Sequence, residues 1–361
     1  MNTEEEKLIE ALKTVDIPYL NSNLVDLEVI KEIAFSNDTW TIELEFGFPI
    51  KTYKKTLEKN ILEKLETVIA HDIRINIEHK IETRSVQKGT KPLKEIKNVI
   101  AVASGKGGVG KSTTTANLAI ALEQEGAKVG VLDADIYGPS QTKMLGSQGK
   151  PDTRDGKKML PIISYNIQTI SIGNLVEEDT PMIWRGPMVT GALEQLLNET
   201  AWDNLDYLLV DLPPGTGDIQ LTLCQKIPVS GAVIVTTPQD IALLDAKKAL
   251  KMFEKVNVSV LGIIENMSMH KCSQCGHVEH IFGSDGGSIM AKQYGVDLLG
   301  KLPLDIDIRK NADGGRPTTA FQPDSEVASN YREIGRKMTA KLSLKAKDHS
   351  SKFPNIVVQN T

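Results

Sequence analysis

Eight consecutive residues, Gly105-Lys106-Gly107-Gly108-Val109-Gly110-Lys111-Ser112, have the types and spacing that hold phosphate. They match G-x-x-x-x-G-K-[ST] in full, after the apolar run VIAVAS and before the helical pattern TTTANLAIALEQEG. Glycines let backbone N–H groups turn inward as a nest for phosphate oxygens, and the start of the helix adds partial positive charge. In such a loop Lys111 reaches the β- and γ-phosphates and the Ser112 hydroxyl ligates magnesium, with Thr113 beside them in the nucleotide-binding set. A glycine turn with no ligand is the competing reading. Downstream carboxylates weigh against it: Asp133 and Asp135 lie at the end of VLDAD, and Asp211 ends LLVD. Carboxylates at the carboxyl ends of parallel strands face the ligand crevice. Asp133 also suits a plainer role, capping the strand end or pairing locally. Lys106, a second lysine inside the loop, has no packing role there and reads equally as a solvated charge. After Asp211, the prolines and glycines of Leu212-Pro213-Pro214-Gly215-Thr216-Gly217-Asp218 suit a hinge-like loop that senses a γ-phosphate.

The second set is Cys272-Ser273-Gln274-Cys275-Gly276-His277. Two thiolates at C-x-x-C spacing chelate one metal or one edge of a cluster. Three chemistries compete. A redox dithiol usually opens a helix, and Gly276 argues against that. A self-contained zinc site would use Cys272, Cys275, His277 and His280, although two residues between the histidines is tighter than finger spacing. An iron–sulfur cluster wants four thiolates. The chain has three cysteines, and Cys224 sits in an apolar helical pattern with Ile219, Leu221 and Leu223, as a small core residue does. Two usable thiolates per chain fall short of a cluster, whereas two chains about a two-fold axis supply four.

These residues need rigid elements to position them. From Asn98 onward, short β-branched runs recur: Val99–Ala103, Val129–Asp133, Ile167–Ile172, Tyr207–Asp211, Ala232–Thr236, Val258–Ile264 and Leu298–Leu302. Helical patterns separate most of them, so the expected fold class is α/β: a mostly parallel sheet flanked by helices, over residues 98–345. A smaller α/β unit is expected over residues 1–85. It has a helix beginning at Leu8–Leu12, a period-two strand over Thr39–Phe46, a helical pattern across 53–70 and a second strand at Ile73–Ile77. Residues 86–97 read as a solvated linker, and 346–361 as a flexible polar tail.

Composition removes several classes. The chain has 361 residues, enough for about two domains, with 25% charged and 40% hydrophobic residues, which excludes global disorder. No apolar run approaches the ~18 residues of a membrane span, and the start MNTEEEKL does not read as a signal peptide. A net charge of −5 gives no nucleic-acid footprint. So few cysteines mean no disulfide framework, and a reducing cytoplasm is expected.

GKGGVGKS resembles the deviant Walker A motif of the nucleotide-switch ATPases, which include the nitrogenase iron protein, the Min and Par ATPases and the Mrp/ApbC-type iron–sulfur cluster carriers. The resemblance implies a P-loop NTPase fold and a sandwich homodimer in which Lys106 crosses to the partner's nucleotide. It implies Asp211 as the Walker B aspartate for magnesium, Asp135 as the switch I aspartate for the attacking water, and 212–218 as switch II. Asn266, in the sequence ENM, resembles the asparagine that contacts adenine, and Leu302-Pro303-Leu304-Asp305 resembles the loop closing over the base. No N/T-K-x-D guanine motif stands at a strand end, so the implied nucleotide is ATP. NMSMHKCSQCGHVEHIFG resembles the cluster-binding segment of the Mrp/ApbC carriers, and Asp305, Arg309 and Gly314-Gly315-Arg316-Pro317 fit their C-terminal pattern. That likeness implies a 4Fe–4S cluster bridging two subunits through Cys272 and Cys275, with apo iron–sulfur proteins and assembly factors as partners and no nucleic acid or membrane. The N-terminal unit resembles the small iron–sulfur assembly domain. Relatives often carry a cysteine there; this chain has none before Cys224, so a docking or regulatory module is expected. The alternative is a ParA/MinD-like partitioning or positioning ATPase whose C-x-x-C holds zinc or stays vacant.

Overall fold

The computed structural model describes residues 3–348 apart from 18, 21, 155 and 176–185. Near-continuous apolar runs form an eight-stranded sheet. Its strands are β4 (Ile96–Ala103), β5 (Val129–Asp133), β6 (Ile162–Ser164), β7 (Ile167–Ser171), β8 (Leu205–Asp211), β9 (Gly231–Thr236), β10 (Val260–Glu265) and β13 (Leu298–Lys301). The order is β6-β7-β5-β8-β4-β9-β10-β13, parallel except for the β6–β7 hairpin. Both faces are covered, which is why these strands lack polar alternation. On one side Val99, Ala101 and Ala103 pack with α5 (Gly186–Glu199), α6 (Asp218–Lys226) and α7 (Asp240–Lys255). On the other, Ile100 and Val102 pack with α3 (Lys111–Gln124) and α11 (Glu326–Ser343). The register pairs Asp211 with Asp133 across β8 and β5, so both carboxylates leave the sheet at one edge of the same crevice.

The N-terminal unit carries α1 (Thr3–Lys13), α2 (Lys54–Leu65) and a sheet of β1 (Ile30–Ser36), β2 (Thr39–Phe46) and β3 (Asp72–His79) in that order. Trp40, Ile42, Leu44 and Phe46 alternate inward along β2, as period two requires. The unit docks on the far end of the phosphate-loop helix. Glu125, just past α3 and fully buried, accepts from the Thr52 N–H at 2.9 Å and from the Thr52 hydroxyl, and it pairs with Arg336 of α11. The Arg336 guanidinium also stacks over Tyr19 and Tyr53, 5.4 and 5.3 Å from their ring centroids. Removing one partner of a buried pair strands the other charge. Glu125→Ala is therefore expected to cost about 3–5 kcal/mol in urea unfolding, and a loss below ~1 kcal/mol would show the pair to be dispensable.

Two expected boundaries are corrected. The 86–97 segment is not simply a solvated linker. Gln87 is buried, donates to the carbonyls of Cys224 and Ile227 at 2.8 and 2.5 Å and accepts from Val229 N at 2.8 Å, and β4 already begins at Ile96. One side-chain amide thus satisfies three backbone groups in the last turn of α6 and just beyond it. At the other end, the tail expected from 346 starts out paired: Ser85 donates to the Ala346 carbonyl at 3.0 Å and Asp348 to that of Thr83 at 2.9 Å. Residues 349–361 of that expected tail lie outside the described residues.

Candidate functional site

The loop from Ser104 to Gly110 joins β4 to α3 in the shape a phosphate requires. Gly108 and Gly110 both have φ +81°, the left-handed region that L side chains avoid. A Cβ on Gly110 would lie 2.2 Å from Asn266 Nδ2, and one on Gly105 would lie 2.1 Å from the Asp245 backbone carbonyl carbon. Among the described residues, the backbone N–H groups of Gly105 to Gly110 donate to no protein acceptor. α3 begins with no side-chain cap and no acid in its first turn. Free amides, an uncapped helix start and a nearby lysine make an anion cradle. Lys106 makes no hydrogen bond or ion pair among the described residues; only its carbonyl is engaged, by the Ser104 hydroxyl at 2.9 Å. Thr113 turns its hydroxyl toward the Met144 sulfur, 3.9 Å away.

Lys111 is the centre of the charged cluster. Its Nζ, nearly buried, lies 2.6 Å from Asp211 Oδ1, 3.2 Å from Ser112 Oγ and 3.9 Å from Asp135 Oδ2. Lys111, Ser112, Asp135 and Asp211, picked from the sequence, are thus brought together. Two residues that the sequence reading missed complete the group. Thr115 donates to Asp211 Oδ1 at 3.1 Å, and Gln141 donates to Asp211 Oδ2 and to the Ser112 carbonyl, both at 2.9 Å. Gln141 opens the short helix α4 (Gln141–Met144), and nothing in PSQTKM marks it as a site residue. The Oε1 of Gln141 is buried with no partner. Oxygen-only donors from Ser112, Asp135, Asp211 and Gln141 fit a hard cation such as magnesium.

Asp133 faces away from this work. It accepts from Asp135 N, Ser140 N, Gln141 N and the Ser171 hydroxyl, so it holds the turn from Asp135 to Gln141 in place. Burial, and then repulsion from Asp211, push its carboxyl up to about 7, against the pull of those donors. Burial likewise raises Asp135, while Lys111 opposes the shift. The 212–218 segment is tied to the loop by Gly215 N donating to Ser104 O at 2.9 Å, with Gly215 at φ +103°. Just past β10, Asn266 donates its Nδ2 N–H to Val109 O at 2.8 Å. Pro303 follows the buried Leu302, and Asp305 caps α9 (Ile306–Asp313) by accepting from Asp307 N at 2.7 Å.

The two cysteines occupy the tip of a two-stranded hairpin, β11 (His270–Lys271) and β12 (Val278–Glu279). Cys272 N donates to His277 O at 2.8 Å and Gly276 N to Cys272 O at 2.9 Å, with Gly276 at φ +72°. Cys275 is exposed and Cys272 partly so. The Cys272 thiol is pulled below its ordinary range by the backbone N–H of Cys275, then that of Gln274 and the Cys275 side chain. Turn amides aimed at sulfur stabilise thiolate, the form that binds metal. His280 is engaged elsewhere, with Nδ1 2.8 Å from Ser268 O, and His277 lies 3.7 Å from Glu279. No group of three or more His, Cys, Asp or Glu side chains suited to a metal is assembled among the described residues, so the four-ligand zinc set of one chain is not in place. Cys224 is fully buried and its thiol is pushed up to about 12 by burial, as a core cysteine should be.

A phosphate cradle and a thiol pair on one scaffold also define a known family. A family model described as NUBPL iron-transfer P-loop NTPase matches residues 95–339. The chain belongs to that family. This NUBPL-type NTPase carries a second match, to the iron–sulfur cluster assembly protein family, over residues 5–77. It is 51% identical over 327 residues to the iron–sulfur cluster carrier protein of Escherichia coli K12, covering 90% of this chain and 89% of that one. It is 50% identical over 254 residues to the iron–sulfur cluster transfer protein NUBPL of Mus musculus, covering 70% and 80%. Among solved structures, a nucleotide-binding protein from Archaeoglobus fulgidus in complex with ADP aligns at TM-score 0.55 and 40% identity, covering 62% of this chain and 88% of that one. The cell division ATPase MinD of Pyrococcus furiosus aligns at TM-score 0.50 and 23% identity, covering 67% and 98%, a likeness of fold alone. The likeness to Mrp-type carriers and the parallel α/β P-loop architecture, both expected from sequence, are borne out. No helix among the described residues is long and apolar enough to cross a membrane.

Proposed function

We propose that this NUBPL-type NTPase is a cytoplasmic ATP-hydrolysing carrier of iron–sulfur clusters that holds a 4Fe–4S cluster between two identical subunits and passes it to apo-proteins. The observation that carries this reading is the thiol pair. It sits at the tip of a hairpin, where turn N–H groups favour the Cys272 thiolate, with no further ligand assembled beside it among the described residues. Two such pairs make the four thiolates a cluster takes. A ligation shared across an interface opens when the interface opens, which suits release.

The nucleotide half follows from the loop. The free amides of Gly105 to Gly110 and the Lys111 ammonium receive the phosphates. Lys111 then exchanges its contact with Asp211 for phosphate oxygens, and the freed carboxylate and the Ser112 hydroxyl would hold magnesium. Magnesium, when bound, neutralises charge on the phosphates. Asp135, 3.9 Å from Lys111 Nζ in the same cluster, orients the attacking water. Lys106, which has no ion pair among the described residues, reaches in this reading to the partner's nucleotide. Switch II, tied to Ser104 through Gly215, reports the phosphate state outward.

Anaerobic reconstitution with iron and sulfide is expected to give a brown dimer with one cluster per two chains. Tight zinc on each monomer with no cluster uptake would instead support the partitioning-ATPase reading. The trans role of Lys106 has its own test. Lys106→Ala and Asp135→Ala subunits, each inactive alone, are mixed: half the dimers then hold one intact site, and roughly a quarter of wild-type turnover should return. No recovery on mixing would place Lys106 in its own subunit's site.

A further inference from the structure

Between Glu265 and His270 one short turn touches both functional sites. On one side Asn266, at the end of β10, donates to the Val109 carbonyl inside the phosphate loop at 2.8 Å. On the other, Ser268 O meets His280 Nδ1 at 2.8 Å, and His280 directly follows β12 of the cysteine hairpin. The turn is itself stiff. Ser268 donates through its N–H and its hydroxyl to Leu302 O, both at 3.0 Å; Leu302 N donates to Glu265 O at 2.9 Å, and Leu304 N to Met269 O at 2.7 Å. Met267 is held at φ +56°. His270, the first hairpin residue, lies 3.0 Å through Nδ1 from Leu304 O.

Glu265 is the unusual member. It is fully buried, and Gly287 N donates to its Oε2 at 2.5 Å. Among the described residues its Oε1 accepts no hydrogen bond, and Lys301, 3.8 Å away, makes its closer contact with Asp285 at 2.6 Å. A buried carboxylate in that state costs free energy unless its position serves something else. Gly287 stands at the start of α8 (Gly286–Tyr294), the helix into which the hairpin's exit strand runs. A Cβ there would meet Glu265 Oε2 at 2.9 Å, so the approach is tight. One side chain therefore fixes the start of α8 relative to β10, and the next residue grips the phosphate loop.

We infer that Glu265 is a positioning residue that links the phosphate loop to the cysteine hairpin through Asn266 on one side and the start of α8 on the other. The inference deepens the carrier reading and rests on it for its purpose. Phosphate entering the cradle reorganises the amides on either side of Val109, and Asn266 is bonded to that peptide. Glu265, one residue along the same strand end, carries the displacement to α8, and the Ser268–His280 contact carries it to the hairpin.

The test needs no cluster. Alkylation of Cys272 and Cys275 is followed by mass spectrometry in the full chain, with and without magnesium and ADP. In the wild type, saturating nucleotide is expected to change the Cys272 rate about fivefold or more. In Glu265→Ala the change should shrink to within about twofold while ADP affinity stays within about threefold. Glu265→Gln keeps an acceptor for Gly287 N–H and should restore most of the response. His280→Ala, an exposed position that does not threaten folding, should weaken the response as Glu265→Ala does. A wild-type rate indifferent to nucleotide, or a full response retained in Glu265→Ala or in His280→Ala, overturns the linkage. Failure of cluster uptake by the wild type would overturn the carrier reading and leave this measurement standing.

Discussion

Lys111→Ala is expected to lower ATP turnover at least a hundredfold to a thousandfold, the cost of losing a cation aimed at charge that develops on the transferred phosphoryl group. The same change should weaken the fold. Lys111 Nζ lies 2.6 Å from Asp211 Oδ1, and Asp211 is fully buried. Without the ammonium, Asp211 keeps only the hydroxyl of Thr115 and the amide of Gln141. An uncompensated buried carboxylate costs about 3–5 kcal/mol. The two effects separate in a double variant. Lys111→Ala with Asp211→Asn removes both charges, so denaturation should return toward wild type while turnover stays lost. Turnover near wild type in Lys111→Ala would show that this loop is not the phosphate site. Recovery of both stability and turnover in the double variant would show that Lys111 acts only by keeping Asp211 folded.

Sequence made the parallel sheet legible because its strands are buried on both faces and read as unbroken β-branched runs; β5, over Val129–Asp133, falls where its run does. The phosphate loop was legible for a related reason. Its glycines answer to local backbone geometry, and Gly108 and Gly110 occupy the left-handed φ that their type permits. What stayed hidden depends on contacts far apart in sequence. Gln141 reaches Asp211 across seventy residues, and a glutamine near the start of a four-residue helix announces nothing. Gln87 lay in a stretch whose lysines and proline suggest solvent, yet it meets carbonyls more than a hundred and thirty residues away. The strand β1 over Ile30–Ser36 also escaped, because its exposed and half-buried pattern lacks the strict alternation of β2. Asp133 shows the converse. Its place among the strand-end carboxylates admitted a ligand, although a cap was the plainer reading, and its four donors assign it to holding the turn.

Cys272→Ala is expected to abolish cluster uptake outright while leaving ADP affinity within about twofold, because it removes only a sulfur at the hairpin tip and leaves the Asn266–Val109 and Ser268–His280 contacts in place. The hairpin turn is closed by backbone bonds, Cys272 N to His277 O and Gly276 N to Cys272 O, that an alanine retains. Only sulfur is lost. With one thiolate per chain, two subunits offer two ligands where a cluster takes four, so a dimer cannot compensate. Cys275→Ser should lose the cluster as completely, yet it should differ in thiol chemistry. The Cys275 and Gln274 backbone N–H groups that favour the Cys272 thiolate remain after that substitution. Cys272 in Cys275→Ser should therefore still reach its full alkylation rate at lower pH than an ordinary thiol, which a pH–rate profile reads directly. Retention of a full-intensity cluster spectrum by either variant would mean that the four ligands are not the two hairpin pairs. Zinc retention at one ion per monomer in Cys272→Ala would mean that histidines, rather than a second subunit, complete the site.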